Sequence, residues 1–300
     1  MIKRLNIYFK EMYPLLPRLA LGFLLFFEIH LLVILTNGEK VVPQSIGAGE
    51  IIGSLTLFAF LLTLRIADDF KDYETDLRLF PSRPLPSGRV RRGDLVAVLF
   101  ALWLVLIPLN LVFLGNTAFF ALLLAYGALM SFWFFQKAKI QKSLPLALVT
   151  HNPVQIVMNL YVISYACKLY NIPLLSFNNF VIALTLYFPG LIWEISRKIY
   201  APEDEGEYTT YSKLFGYKKA TKFVMAVMLI DFFSTSYLLT KLYTWAPLLV
   251  AASYAWLVFE CLRFMKNPKR TKLVSRVEIY EYAAEGTVVL LIAAKIFGWF

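Results

Sequence analysis

The 300 residues are 59% hydrophobic, 16% aromatic and only 17% charged, against about 45–50% apolar and about 25% charged in soluble domains. That excess exceeds what one core of this size calls for, which excludes an ordinary soluble domain and makes lipid the solvent over much of the surface. The net charge of +10 resides in loops between apolar runs, which favours anionic lipid headgroups and anionic substrates over nucleic acid.

In chain order, nine apolar segments are long enough to cross a hydrocarbon layer of about 30 Å: 18–37, 46–67, 94–114, 117–135, 144–167, 178–198, 219–240, 246–265 and 279–298. The runs are continuous rather than alternating, so they read as helices, not strands. The first is long and lacks a small-residue cleavage site, so no signal peptide is expected. Cys167 and Cys261 form neither a disulfide framework nor a zinc spacing. The expected fold is all-α: a polytopic nine-transmembrane-helix bundle, one domain over 1–300, with cap loops after helices two and six.

Lys and Arg set the orientation. With the N-terminus in the cytoplasm, nearly all basic residues fall inside; only Lys40, Lys168, Lys241 and Lys295 fall outside, and Arg65 lies within a span. A prokaryotic cytoplasmic membrane is expected, with the C-terminus outside. Charge of both signs gathers in the inner loops 68–93 and 199–218, while 266–278 is basic and nearly free of acids.

In the first loop, Asp68, Asp72 and Asp76 recur at i, i+4 and i+8. On a helix that spacing puts all three carboxylates on one face. Stacked carboxylates repel, and a divalent cation reverses that cost. Mg²⁺ takes one or two carboxylates together with water and phosphate oxygens, so the spacing suits a metal bridging protein to a diphosphate. The simpler reading is an exposed acidic helix end balanced by Lys71 and Arg78. A Pro-rich turn, Phe80–Gly88, then returns Arg83, Arg89, Arg91 and Arg92 to the same membrane edge, adding donors for phosphate oxygens.

Asp68-x-x-x-Asp72-x-x-x-Asp76 followed by Arg83-Pro-Leu-Pro-Ser-Gly88 resembles the first signature of the UbiA superfamily of intramembrane prenyltransferases, with Asp68 in place of the family's Asn. The resemblance covers essentially the whole chain and implies nine helices, acidic motifs after helices two and six, Mg²⁺, and a prenyl diphosphate donor. Lys139 with Leu144-Pro145 is similar to the family's basic loop near the diphosphate; a lysine of the positive-inside bias accounts for it equally well.

The second loop departs from the family pattern. Thr210-Tyr211-Ser-Lys-Leu-Phe-Gly216 resembles the end of the motif, but Glu194 and Lys198 stand where aspartates are usual. Three accounts fit. Glu194 with Asp204 or Glu203 rebuilds a metal site; Lys198 and Arg197 contact diphosphate directly; or the loop has lost its chemistry and the protein only binds. Within the spans, Glu28, His30, Asp231, Glu281, Glu285, His151, Asn152, Gln155 and Asn159 are polar. Asn152 and Glu28 are the candidates for an acceptor pocket, against the ordinary role of interhelical hydrogen bonding.

The resulting expectation is Mg²⁺-dependent transfer of a prenyl group to an unidentified hydrophobic, aromatic or lipid-like acceptor. Asp68, Asp72 and Asp76 hold the metal, and Arg83, Lys139, Arg197, Lys198 and Tyr211 serve the donor. Cyclisation of the donor without an acceptor is the nearest rival. From another class, a transporter or lipid-binding scaffold would use spans broken at Pro153 and Pro189.

Overall fold

The computed structural model describes residues 1–38 and 47–299, and its regular elements are all helical. Lys40 and the first residue of the 46–67 span lie outside the described residues. In chain order the α-helices are α1 (Ile2–Glu11), α2 (Leu15–Thr36), α3 (Ala48–Lys71), α4 (Tyr73–Leu79), α5 (Arg92–Phe113), α6 (Thr117–Ser131), α7 (Lys137–Ile140) and α8 (Leu144–His151). They continue as α9 (Val154–Leu169), α10 (Phe177–Leu184), α11 (Tyr187–Ser196), α12 (Tyr211–Phe215), α13 (Tyr217–Leu242), α14 (Pro247–Lys266) and α15 (Leu273–Phe297).

Among the described residues, seven helical stretches are long and apolar enough to cross a membrane: α2, α3, α5, α8 with α9, α10 with α11, α13 and α14. The protein is an integral membrane protein. The other two expected spans each depart in one respect. With 15 residues, α6 reaches only about 22 Å at 1.5 Å per residue. At 25 residues α15 is long enough, but its apolar part carries Glu281, Glu285 and Lys295.

The chain forms two compact units. The first comprises Met1–His30, Val42–Lys137 and Leu160–Asn171. Its core at one end joins Tyr8 and Tyr13 to Leu62 and Ile66 of α3, to Leu85 and Val90 of the Pro-rich turn, and to Leu95 of α5. The amphipathic helix α1 is too short to span and has no counterpart among the expected segments. It is fixed by three polar contacts. Arg4 donates to both carboxylate oxygens of Asp94 (2.6 and 2.8 Å), and the Tyr8 hydroxyl donates to Asp69 (2.6 Å). Glu11 accepts two bonds from Arg89 (2.5 and 2.8 Å).

Between α2 and α3 of the same unit the backbones approach closely at Gly22. A Cβ there would sit 2.9 Å from Phe58 Cβ and 3.0 Å from the Ser54 carbonyl. Polar groups deeper in the unit pair with one another: Asn110 donates to Thr56 (2.8 Å) and accepts from the Tyr161 hydroxyl (2.6 Å).

The second unit comprises Leu31–Val41, Ala138–Asn159 and Ile172–Phe300. Its core gathers Ile192 and Ile195 of α11, Val224 and Met228 of α13, Leu257 and Cys261 of α14, and Val277 and Tyr280 of α15. Two spanning stretches are broken at residues of this unit, as Pro153 and Pro189 foreshadowed. One breaks at Asn152–Pro153 between α8 and α9, the other at Thr185–Leu186 between α10 and α11. Pro189 lacks the N–H that would bond the Thr185 carbonyl, and Leu186 takes a left-handed conformation (φ 58°). The freed carbonyls do not go unpaired. Asn159 Nδ2 donates to Ala183 (3.0 Å) and Thr185 (2.8 Å), and Asn159 Oδ1 accepts from Gln155 (3.0 Å). A bond-free carbonyl at this depth would cost several kcal/mol, on the order of a lost solvation shell, so Asn159 and Gln155 are committed to holding the break.

Candidate functional site

The acidic run lies in the first unit, where α3 passes into α4. Asp72 is the junction residue (φ −98°, ψ 9°). Its N–H bonds the Asp68 carbonyl (2.9 Å), and the Asp76 N–H bonds the Asp72 carbonyl (2.8 Å). The i, i+4 register therefore continues through the junction, as the spacing requires.

The three carboxylates have different surroundings. Asp76 is buried, and Nη1 of Arg83 forks onto both of its oxygens (2.8 Å each). The Arg83 guanidinium also stacks 4.1 Å from the Phe80 ring centroid, and its Nε and Nη2 make no hydrogen bond among the described residues. Asp68 has a side chain 43% exposed and pairs with Lys71 (2.9 Å). Lys71 itself is buried: Nζ also donates to the Met130 carbonyl (3.4 Å) and lies 4.8 Å from the Trp133 ring centroid. Asp72 is half-buried, and its carboxylate makes no hydrogen bond or ion pair among the described residues. Burial raises its carboxyl above the usual carboxylate range, Asp68 and Asp76 add to the rise, and Lys71 opposes it.

The neighbouring Asp69 serves the scaffold. It is buried, accepts from the Tyr8 hydroxyl (2.6 Å) and pairs with Arg65 one turn back (2.6 Å). Arg65, the basic residue expected within a span, is thereby accounted for.

In the second unit, Glu194 near the end of α11 accepts from Arg197 Nε (2.5 Å) and Nη2 (2.8 Å) and pairs with Lys198 (2.8 Å). The two cations for which contact with a diphosphate was one of three accounts both pair with this carboxylate. Arg197 also lies 5.2 Å from the Trp193 ring centroid. In the acidic insertion, Glu203 pairs with Lys269 (3.0 Å) and Glu205 accepts from the Thr210 hydroxyl (2.8 and 2.9 Å). Asp204 lines a cavity whose other charged residues are basic. The Tyr211 N–H bonds the Lys198 carbonyl (2.9 Å), tying the motif's end to its beginning. The Tyr211 hydroxyl is buried and has no hydrogen-bond partner among the described residues, and burial with the nearby Glu194 charge pushes it up to about 12.

The remaining candidates are scattered. Lys139 is exposed on α7, Asn152 sits in the α8–α9 break, and Glu28 is buried in α2. Among the described residues no three His, Cys, Asp or Glu side chains come together as a cation site. The expected set of three aspartates is not assembled, because Arg83 occupies both oxygens of Asp76. Nor are Glu194 and Asp204 assembled into a second site. Asp68 and Asp72 remain, an adjacent pair in which the Asp72 carboxylate has no partner among the described residues, which fits the one or two carboxylates that Mg²⁺ takes.

Sequence reasoning missed the Tyr8–Asp69–Arg65 group, whereas Lys71, expected to balance the acidic helix end, does pair with Asp68. The i, i+4 step from Arg65 to Asp69 was the available signal; Tyr8 carried none.

No known family profile matches the sequence. No curated protein matches it either. Among solved structures, the chain is similar to that reported for digeranylgeranylglyceryl phosphate synthase in membranes, with a TM-score of 0.66 and 14% identity over 98% of this chain and 99% of that one. The chain shares the fold of that structure. At that identity the likeness speaks for the helical arrangement, not for the chemistry.

Proposed function

We propose that this protein is an intramembrane prenyltransferase that takes its donor as an allylic prenyl diphosphate, with one catalytic domain over the whole chain. The observation that carries this reading is Asp72, a half-buried carboxylate without a partner among the described residues, one turn from Asp68, in a chain whose fold resembles that of digeranylgeranylglyceryl phosphate synthase. On this reading α6 and α15 complete nine spans, the N-terminus is cytoplasmic and the C-terminus is outside, in agreement with the distribution of Lys and Arg.

Asp68 and Asp72 are the residues that would hold Mg²⁺, which when bound neutralises diphosphate and makes it a better leaving group. Asp76 acts through Arg83: the two-oxygen clamp fixes the guanidinium and leaves Nε and Nη2 to donate to phosphate oxygens. Lys71 balances Asp68 before the donor arrives. The donor's C–O bond breaks with its electron pair departing on diphosphate, and an electron pair of the hydrophobic acceptor forms the new bond. The apolar helices exclude water, which would otherwise capture the allylic cation. Lys139 and Tyr211 belong to this proposal as donor-side residues, and Asn152 and Glu28 as acceptor-side residues.

Calorimetry on the purified full chain with a non-hydrolysable geranylgeranyl diphosphate analogue tests the proposal. Binding should require Mg²⁺, be reversed by EDTA, and be lost in Asp72→Asn. Equal binding with and without Mg²⁺, or in Asp72→Asn, would remove the metal from the reading. One observation favours a second reading. Both breaks, at Asn152–Pro153 and Thr185–Leu186, lie inside spanning stretches, and discontinuous helices are common in transporters. Saturable lipid flux in liposomes without chemical change would establish that alternative.

A further inference from the structure

The basic segment 266–278 plays no part in the prenyl-transfer reading, yet it borders a well-formed cavity. That cavity, of about 520 Å³, is lined only by residues of the second unit. Its size falls within the range of roughly 300–1,000 Å³ typical of small-molecule sites. Arg197, Lys269, Arg270 and Lys272 line it, with Asp204 as the one carboxylate in the lining. Arg197 and Lys269 are held by Glu194 and Glu203, neither of which lines the cavity. Arg270 and Lys272 are exposed, and their side chains have no hydrogen bond or ion pair among the described residues. The floor is largely apolar and includes Tyr200, which is 41% exposed.

We propose that this cavity binds the phosphate group of an amphiphilic phosphate ester, independently of prenyl transfer. The mixture of cations supports that chemistry. A guanidinium offers planar paired donors that match phosphate oxygens, and an ammonium adds a point charge. Two cations without carboxylate partners give the site an affinity for anions that salt-bridged residues would not. The apolar floor beside them suits a ligand whose phosphate carries a hydrocarbon part. Basic pockets at the ends of membrane helices take lipid headgroups by this means. Two sources share the chemistry: an anionic glycerophospholipid of the surrounding leaflet, and a free phosphate compound from the aqueous side.

The test uses the full chain in detergent with two probes, dihexanoyl phosphatidylglycerol below its micellar concentration and inorganic phosphate, read by calorimetry. Arg270→Gln/Lys272→Gln should weaken binding by roughly 30-fold, from the usual contribution of two basic residues at an anionic headgroup. Lys137→Gln/Lys142→Gln removes the same charge from another basic loop and should change binding less than about twofold. Saturable binding of the lipid alone assigns the site to the leaflet. Competition by inorganic phosphate assigns it to a free phosphate compound. Equal weakening in the two double variants, or no binding of either probe to the unmodified protein, would overturn the proposal.

Discussion

Tyr8→Phe isolates the contact that docks α1 onto the acidic run. The Tyr8 ring is fully buried, and Phe keeps it, so no cavity forms and the packing against Leu62 and Ile66 survives. What is lost is one hydroxyl donor to the buried Asp69 carboxylate at 2.6 Å. A hydrogen bond to a charged group contributes about 1.5–3 kcal/mol, or roughly a 10- to 100-fold change in the docking equilibrium. Arg65 continues to balance Asp69, so the cost should stay within that range rather than reach that of an unpaired buried charge. Hydrogen exchange of the α1 amides followed by mass spectrometry reads the effect directly, because α1 opens locally while the membrane helices stay folded. Protection across Ile2–Glu11 should fall by that factor. A double-mutant cycle with Asp69→Ala should return a coupling of similar size. Less than about threefold loss of protection, or a coupling near zero, would refute the claim that this bond docks the helix.

Three further outcomes follow from the same geometry. Gly22→Ala places a methyl 2.9–3.0 Å from Phe58 and the Ser54 carbonyl, and should lower stability by about 1–3 kcal/mol through overpacking, seen as a lower melting temperature in detergent. Asn159→Leu strips the donor from the Ala183 carbonyl, while Thr185 keeps the Tyr187 N–H (2.6 Å), and should cost about 1–3 kcal/mol for the one group left unpaired; unchanged thermal stability would mean another donor takes over. Arg83→Lys keeps the charge but cannot reproduce a planar fork, so any diphosphate-dependent activity should fall by at least about tenfold in kcat/KM while the far-ultraviolet circular dichroism stays the same.

Much of the architecture could be read from hydrophobic run length, because a bilayer imposes a length on every span. It served less well where a helix departs from the average. The short α6 and the acid-bearing α15 satisfy a composition count more easily than they satisfy the length and charge of a spanning helix. The break at Thr185–Leu186 was visible only through Pro189, and its displacement by several residues follows from which carbonyl a proline leaves unbonded.

For the site, the i, i+4 spacing of Asp68, Asp72 and Asp76 was sound as geometry. It could not show that Arg83 returns through the Pro-rich turn to take both oxygens of Asp76. By contrast, the pairing of Glu194 with Arg197 and Lys198 was already written in the i+3 and i+4 steps of a helix, a plainer reading than metal ligation. The role of Tyr8 had no local signature, because its partner is 61 residues away.

That distance matters for the order in which the protein is made. Asp69, Arg89 and Asp94, the partners of α1, lie 61, 78 and 90 residues downstream of the groups they bind. At a synthesis rate of about 5–20 residues per second, α1 waits on the order of 3 to 18 seconds before its clamp can close. During that interval it is an amphipathic peptide with unpaired charges and exposed Tyr8 and Tyr13, and the membrane interface is the natural place for it to lie. Closing this clamp is thus the transfer of α1 from lipid to protein.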